Sequence, residues 1–309
     1  MLVLSFSLGF IALLQGAKFL VDGASDIARR FGISELIIGL TLVSIGTSFP
    51  ELAINIFASF KKESDIILGN IIGSNISNTL LILGVTGLIT PLTFPKCKLR
   101  KELYYYLAIL ALFLISIFIT SPFVISKSEA LLLLIASFLS LFLFFLPNAN
   151  EPSNTADNSP KLSLSICLFL IGAILLPLGG HLVIQSSMDI ALTLGLSKAF
   201  VSLFAIALGT SLPELVTSVT AALKGNSAMA LGNIVGSNIF NLSLIIGVSG
   251  LIHVIPVSWV LGQDALILAS SGLILFLIVA LSRKSSLSRG FPLAFLLAYL
   301  AYIAFIACR

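Results

Sequence analysis

Two glutamates interrupt long apolar stretches of the chain, and each ends a similar six-residue string. Residues 46–51 read Gly-Thr-Ser-Phe-Pro-Glu, and residues 209–214 read Gly-Thr-Ser-Leu-Pro-Glu. A carboxylate in an apolar segment is costly unless it is protonated, paired with a basic side chain or bound to a cation. No lysine or arginine lies in the apolar stretches around Glu51 and Glu214. We therefore predict that both carboxylates bind a cation, with protonated, hydrogen-bonded glutamates as the alternative.

The residues beside each glutamate interrupt helical hydrogen bonding. Proline has no backbone N–H and clashes with the preceding turn, so Pro50 and Pro213 are expected to begin new helical segments. A membrane tolerates the freed carbonyl oxygens only where they find other donors or line a polar cavity. The predicted neutral oxygens beside the carboxylates are the main-chain carbonyls near Thr47 and Thr210 and the hydroxyls of Ser48 and Ser211.

A second repeated string follows each glutamate. Residues 69–75 read Gly-Asn-Ile-Ile-Gly-Ser-Asn, and residues 232–238 read Gly-Asn-Ile-Val-Gly-Ser-Asn. The two glycines of each string are four residues apart, a spacing that lets helices approach closely. Residues four apart also share a helix face. The polar pairs placed together in this way are Ser74 with Asn78 and Ser237 with Asn241.

These groups form an oxygen-only set of carboxylates, carbonyls, hydroxyls and amides. Such a set suits Ca²⁺, which takes about six to eight oxygen ligands, and it can also hold Na⁺. It lacks the thiolates and imidazoles that softer metals prefer. Two carboxylates can balance one Ca²⁺ or two monovalent ions, so competition at one site is the simplest basis for ion exchange.

The elements that carry these strings arise by internal duplication. Both pairs of strings are separated by the same offset of 163 residues, and the offset also matches glycines and polar residues outside them. Further matched pairs are Gly9 with Gly172, Gly16 with Gly179, Asp26 with Asp189, Gly32 with Gly195, Gly84 with Gly247 and Gly87 with Gly250. Chance similarity between apolar sequences would not keep these residues in one frame.

Composition predicts an all-α polytopic membrane protein. The chain is 58% hydrophobic and 10% charged, whereas soluble domains carry about 25% charged residues. Its net charge of +4 comes from basic residues spread through loops, which argues against nucleic-acid binding. Apolar runs indicate ten spans: 2–20, 36–60, 65–89, 103–120, 124–146, 162–186, 199–223, 228–252, 259–281 and 290–307. The first run lacks a positive flank and a cleavage site, so we expect a retained span.

The span count predicts the orientation of the two halves. A polar stretch rich in Pro, Asn and Ser separates a first repeat, residues 1–146, from a second, residues 162–309, so residues 147–161 are predicted to be a linker. Because each repeat holds five spans, the repeats are expected to be inverted relative to each other. With both termini outside and the linker in the cytoplasm, twelve basic residues face the cytoplasm and five face outside. The positive-inside rule favours that topology.

The paired strings resemble the two α-repeats of the calcium/cation antiporter superfamily, specifically its prokaryotic-type sodium/calcium exchanger branch. The resemblance spans the ten-helix plan and is strongest over residues 39–90 and 202–253. It implies two inverted five-helix repeats around a mid-membrane site, with Glu51 and Glu214 as the principal Ca²⁺ and Na⁺ ligands. The other implied ligands are carbonyls at Thr47 and Thr210, hydroxyls of Ser48, Ser211, Ser74 and Ser237, central amides of Asn78 and Asn241, and carbonyls at Ser44 and Ala207.

The resemblance implies a secondary transporter rather than an enzyme: an antiporter of the cell (inner) membrane that exchanges Ca²⁺ for Na⁺ by alternating access. The first and sixth helices would slide across the other eight. We expect lipid, Ca²⁺ and Na⁺ as partners, no cofactor and a monomer. Some members carry aspartate where this chain has Asn241, which argues against potassium co-transport. The linker is too short for a calcium-sensing domain.

Three alternatives remain open at this point. A Ca²⁺/H⁺ antiporter is the nearest, because a glutamate pair can bind protons as well as Na⁺. An intramembrane protease of the aspartyl type would be expected to use paired aspartates. A passive cation channel would show flux that does not depend on a counter-ion.

Overall fold

The structure, a computed structural model, describes residues 2–93, 95–145, 161–193, 209–282, 285–286 and 290–308. The helices of the first half are α1 (Leu2–Phe31), α2 (Glu35–Thr47), α3 (Phe49–Lys61), α4 (Ser64–Ile89), α5 (Cys97–Thr120) and α6 (Lys127–Phe145). Those of the second half are α7 (Leu162–Thr193), α8 (Leu212–Leu223), α9 (Ser227–Ile252), α10 (Trp259–Leu281) and α11 (Gly290–Ala307).

The prediction of an all-α polytopic membrane protein is confirmed. Over the described ranges, eight helices are long and apolar enough to cross a membrane, or nine when the bent pair α2 and α3 is taken as one span. The predicted span 199–223 is described only from residue 209, so the count of ten stays a prediction. A short antiparallel pairing of β1 (Val124–Ile125) with β2 (Ile255–Pro256) joins two loops.

Helices α1 and α7 are longer than their predicted spans, which ended at residues 20 and 186. The prediction ended the first span before Asp22, yet α1 continues to Phe31. Its added turns bury Ala24, Ile27 and Ala28 against the rest of the protein. A helix does not have to end where its apolar run ends, because packing of one face stabilises the turns beyond it.

The two long helices pack against each other in opposite directions. Gly9 lies against Gly179, and Gly23 lies against Phe169, so residue numbers rise along α1 while they fall along α7. A Cβ added at Gly172 would lie 2.5 Å from the Leu20 nitrogen, so only glycine permits this approach. Because α1 and α7 are matched by the 163-residue offset, their antiparallel packing indicates that the two halves run in opposite senses.

Helices α4 and α9, which carry the second repeated string, form the centre of the protein. The most apolar windows of α4 and α9 are 78% and 83% buried, against 22% for those of α1 and α7. The last helix of each half packs on the central helix of the other half. Gly84 of α4 contacts Pro292 of α11, and the matched Gly247 of α9 contacts Leu134 of α6. The central helix of each half is therefore covered in part by the last helix of the other half.

Candidate cation-binding site

Both glutamates lie just after a break in a helix. The chain bends by 48° between α2 and α3, with Ser48 at the break. Ser48 has φ −85° and ψ 8°, and the matched Ser211 before α8 has φ −86° and ψ −2°. Proline stands at the start of the helix after each break, as the sequence predicts. The two halves thus use the same local backbone to present the two acids.

Glu51 and Glu214 lie in the first turns of α3 and α8, each with 1% of its surface exposed. The free N–H groups and positive dipole end of a helix favour a carboxylate there. The two carboxylates come from opposite halves, and the break just before Glu51 reaches Glu214 directly, because the hydroxyl of Ser48 donates to the Glu214 carboxylate. The ion pairs found in the described part of the chain, Asp26 with Arg29 and Asp22 with Lys224, do not involve them.

Hydrogen bonds across the two halves join these breaks to the central helices. The Thr47 hydroxyl donates to Asn233 Oδ1 at 3.1 Å, and the matched Thr210 hydroxyl donates to Asn70 Oδ1 at 3.1 Å. In addition, the Thr210 and Ser74 hydroxyls are 3.1 Å apart. The threonine side chains at both breaks are therefore held by side chains from the other half.

One of the two carboxylates is more constrained than the other. The Ser48 hydroxyl donates to Glu214 Oε1 at 3.1 Å. The matched contact between Ser211 and Glu51 is not formed, and among the described residues neither oxygen of Glu51 accepts a hydrogen bond of normal geometry. Glu51 thus presents two free oxygens and Glu214 presents one.

Several predicted ligand atoms are buried without a hydrogen-bond partner among the described residues. Buried polar atoms nearly always have a partner, so an orphaned buried oxygen at a predicted ligand position is available to an ion or a water molecule. The orphaned atoms at predicted positions are the Oδ1 atoms of Asn78 and Asn241, the Nδ2 atom of Asn241 and the hydroxyls of Ser211 and Ser237.

The two central asparagines also occupy matched irregularities of the backbone. Asn78 lies in the π-helical segment Ser77–Ile82 within α4, and Asn241 begins the π-helical segment Asn241–Ile245 within α9. Short π-helical turns inside α-helices frequently occur at functional sites, because the wider turn redirects side chains and carbonyls. Hydrophobic periodicity does not reveal such a segment, so the sequence does not predict it.

Of the last pair of predicted ligands, the carbonyls at Ser44 and Ala207, the structure describes only the first. Ser44 is fully buried in α2, and its carbonyl accepts from the Ser48 backbone N–H at 3.0 Å. The Thr47 hydroxyl also donates to this carbonyl at 3.3 Å, so both of its lone pairs have a donor within reach. Ala207, its match in the second half, lies outside the described residues.

The structure adds residues that the sequence analysis did not assign to the site. Asn70 and Asn233 accept the threonine hydroxyls, and Asn233 Nδ2 donates to Ser218 at 3.0 Å. Asn55, which matches Ser218, is fully buried one turn after Glu51. The signal in the sequence is the asparagine that follows the first glycine of both second strings.

A cavity of about 650 Å³ reaches the site from one side. Asn70 and Thr210 line its inner end, and the exposed residues Asp65 and His181 also line it. On the opposite side the site is covered, because α1 packs closely on α8, whereas the matched helices α7 and α3 scarcely touch among the described residues. The site is thus more accessible from the side of α3 and the start of α4.

On the covered side, α1 is tied to the loop between α8 and α9 by two contacts, which we call the α1 latch. Lys224 forms an ion pair with Asp22, and Asn226 Nδ2 donates to the Ser25 hydroxyl at 2.9 Å. The matched pairs in the other half are Lys61 with Gln185 and Glu63 with Met188. These pairs cannot form the same ion pair or hydrogen bond, so the sequence permits the latch in only one of the two matched positions.

Comparison with protein families supports a common origin with known transporters. The family model described as sodium/calcium exchanger protein matches residues 1–146 and 164–307. Sodium/calcium exchanger MaX1 of Methanosarcina acetivorans is 32% identical over 290 residues, which cover 81% of this chain and 83% of that protein. Inner membrane protein YrbG of Escherichia coli is 33% identical over 300 residues, which cover 91% and 89%.

Solved structures give the same result. A structure of the sodium-calcium exchanger NCX_Mj soaked with Na⁺ and Ca²⁺ superimposes with a TM-score of 0.85 at 32% sequence identity. The match covers 98% of this chain and 97% of that one. The likeness therefore extends over the whole membrane domain and is not confined to the paired motifs.

Proposed function

The chain belongs to the sodium/calcium exchanger protein family, and we propose that it is a secondary active antiporter that exchanges Ca²⁺ for Na⁺. The observation that carries this proposal is the pair of buried carboxylates, Glu51 and Glu214, which matched helix breaks bring together from opposite halves. A doubly negative, oxygen-lined site can hold one divalent or two monovalent cations. Binding one substrate therefore excludes the other, which is the basis of exchange.

The proposed ligand set is the one that the family resemblance implies. Glu51 and Glu214 supply the negative charge, and the neutral oxygens replace the hydration shell of the ion. Support comes from the orphaned buried atoms of Asn78, Asn241, Ser211 and Ser237. The proposed neutral ligands are Thr47, Thr210, Ser48, Ser211, Ser74, Ser237, Asn78, Asn241, Ser44 and Ala207.

The pairing of α1 with α7 supports an alternating-access mechanism. In the structure the site is reached from one side, and α1 covers the other side. Glycines bring the backbones of α1 and α7 into close contact, so the two helices can move as one unit over the rest of the protein. Moving this unit would close the cavity and open the covered side, as in other transporters built from inverted repeats.

We propose residues 1–146 and 162–309 as the two repeats and residues 147–161 as a cytoplasmic linker, with both termini outside. The distribution of basic residues and the two separate segments matched by the family model support this division. The name of the Escherichia coli relative supports location in the cell (inner) membrane. One chain supplies both halves of the site, so a monomer suffices, and the exchange requires no cofactor.

Calcium uptake into proteoliposomes tests the coupling ion. We expect vesicles loaded with Na⁺ to take up radioactive calcium when external Na⁺ is replaced by choline. A pH gradient alone should give no uptake above that of protein-free vesicles. Uptake driven only by the pH gradient would establish the Ca²⁺/H⁺ alternative, and equal uptake without any counter-ion gradient would indicate a channel.

A further inference from the structure

Two threonine hydroxyls in the site each lie between an amide and a carboxylate of the opposite half. Thr210 donates to Asn70 and also lies beside the Glu51 carboxylate. Thr47 donates to Asn233 and lies beside the Glu214 carboxylate. The two arrangements are related by the 163-residue offset, so the duplication has kept the same contact twice.

A hydroxyl has one hydrogen to donate, so each threonine serves the amide or the carboxylate but not both. In the structure the amide oxygen lies 3.1 Å from each threonine hydroxyl. The other neighbours at hydrogen-bond distance are the Ser44 carbonyl, 3.3 Å from the Thr47 hydroxyl, and the Ser74 hydroxyl, 3.1 Å from the Thr210 hydroxyl. Carboxylates are the stronger acceptors, because hydrogen bonds to charged groups are stronger than those to neutral ones. Without the asparagine, the carboxylate is the strongest acceptor left within reach, so each hydroxyl would turn to it and take up a lone pair that the ion would otherwise use.

The asparagine of the second half is itself held in place. Asn233 Nδ2 donates to the Ser218 hydroxyl at 3.0 Å and to the Glu214 carbonyl at 3.5 Å. Its side chain therefore joins the break of the first half to the acidic helix of the second. In the first half, Asn70 Nδ2 and Asn55 Oδ1 are buried and have no partner among the described residues.

We propose that Asn70 and Asn233 are positioning residues for cation binding, because they take up the threonine hydrogens and keep the glutamate oxygens free for the ion. This inference rests on the proposed function and adds two residues outside the ligand set. It also explains why the second repeated string begins with asparagine after glycine: this position faces the threonine of the other half.

A rescue experiment tests the inference. Asn70→Ala should weaken Ca²⁺ binding by about tenfold, because the Thr210 hydroxyl then occupies a Glu51 oxygen. Adding Thr210→Val removes that hydroxyl but keeps the main-chain carbonyl. We expect the double variant to bind Ca²⁺ several-fold more tightly than Asn70→Ala. Binding is measured by calorimetry on purified protein in detergent, with competition by Na⁺.

Asn75→Ala is the matched control, because Asn75 is buried in the same helix and its amide donates to the carbonyl of Ile71. Thr210→Val should not improve binding in the Asn75→Ala background. The symmetric cycle, Asn233→Ala with Thr47→Val, provides a second test if one variant does not give monodisperse protein. A double variant that binds no better than the asparagine single variant, in both cycles, would overturn the inference.

Failure of the inference and failure of the proposed function are distinguishable. Wild-type protein that binds no Ca²⁺, or whose Ca²⁺ binding is unaffected by Na⁺, contradicts the exchange function. Wild-type protein with Na⁺-sensitive Ca²⁺ binding, together with an unrescued Asn70→Ala variant, contradicts only the role of the asparagines.

Discussion

At the scale of single residues, the site combines two charges with many neutral oxygens. Glu51 and Glu214 are buried without a basic partner among the described residues, so their charge has to be balanced by an ion or a proton. Amides at Asn78 and Asn241 add ligands without adding charge. The site therefore holds a charge of −2 when both acids are ionised, which matches one Ca²⁺.

Removing either charge should abolish exchange. We expect Glu51→Gln and Glu214→Gln each to lower Na⁺-dependent calcium uptake by about 100-fold or more. A single carboxylate balances only one of the two positive charges of Ca²⁺ in a buried site. Uptake is measured in proteoliposomes with equal amounts of protein. Glu63→Gln, at an exposed position before α4, is the matched control and should keep wild-type uptake. Near-normal uptake in either buried variant would contradict the assignment.

The sequence predicts the acids better than the residues that orient them. A carboxylate in an apolar segment is conspicuous, and proline with glycine indicates the helix break. Asn70 and Asn233 are not conspicuous in this way, because their role depends on a threonine 140 or 186 positions away in the chain. Only the arrangement of the two halves brings each asparagine to its threonine.

At the scale of helices, the contact between α1 and α7 depends on the absence of side chains. A Cβ at Gly179 would lie 2.6 Å from the Leu13 nitrogen and 2.7 Å from the Gly9 oxygen. A Cβ at the next residue, Gly180, would lie no closer than 3.8 Å to Pro213. Two adjacent glycines of one helix thus differ sharply in the space around them.

This difference predicts the effect of a single methyl group. Gly179→Ala should destabilise the protein by about 1–3 kcal/mol, because the added methyl forces the helices apart. Gly180→Ala should leave stability unchanged or slightly raised, since alanine favours the helix. Thermal unfolding in detergent, followed by tryptophan fluorescence or light scattering, compares the two variants. Equal unfolding temperatures would show that the tight α1–α7 contact is not required.

The α1 latch predicts how the two sides of the protein differ. Exposed ion pairs contribute about 0–1 kcal/mol, so Asp22→Asn should shift the conformational equilibrium by up to about fivefold toward opening of the covered side. The measurement uses a protein in which Cys97, Cys167 and Cys308 are replaced and His181→Cys places a single thiol in the cavity. In this background, Asp22→Asn should lower the rate at which a maleimide labels the thiol, because the cavity closes when the covered side opens. Asp26→Asn is the control, since Asp26 pairs with Arg29 of its own helix. An unchanged labelling rate in Asp22→Asn would contradict the role of the latch.

Element boundaries show where sequence patterns stop being informative. The apolar run predicts a span that ends at residue 20, yet α1 extends to Phe31 because small and aliphatic residues on one face remain buried. The π-helical segments around Asn78 and Asn241 have no signature in hydrophobic periodicity. Both features are set by packing between helices, which local sequence does not encode.

At the scale of the whole molecule, neither half is a separate unit. α11 packs on α4, and α6 packs on α9, so each half contributes to the surroundings of the other half's ligands. The constant offset between the repeated strings predicts two matched halves, and the odd number of spans predicts their inversion. The antiparallel contact of α1 with α7 agrees with that prediction. The sequence alone does not reveal which side of the site is open.

The most direct test of the account is simultaneous measurement of both ion fluxes in one preparation. Vesicles that contain the purified protein are loaded with radioactive Na⁺ and diluted into radioactive calcium, with the membrane voltage clamped by potassium and valinomycin. We predict that Ca²⁺ entry and Na⁺ exit occur together and that each stops when the other ion is omitted from its side. Calcium entry that continues at the same rate without internal Na⁺ would contradict Na⁺/Ca²⁺ exchange by this protein.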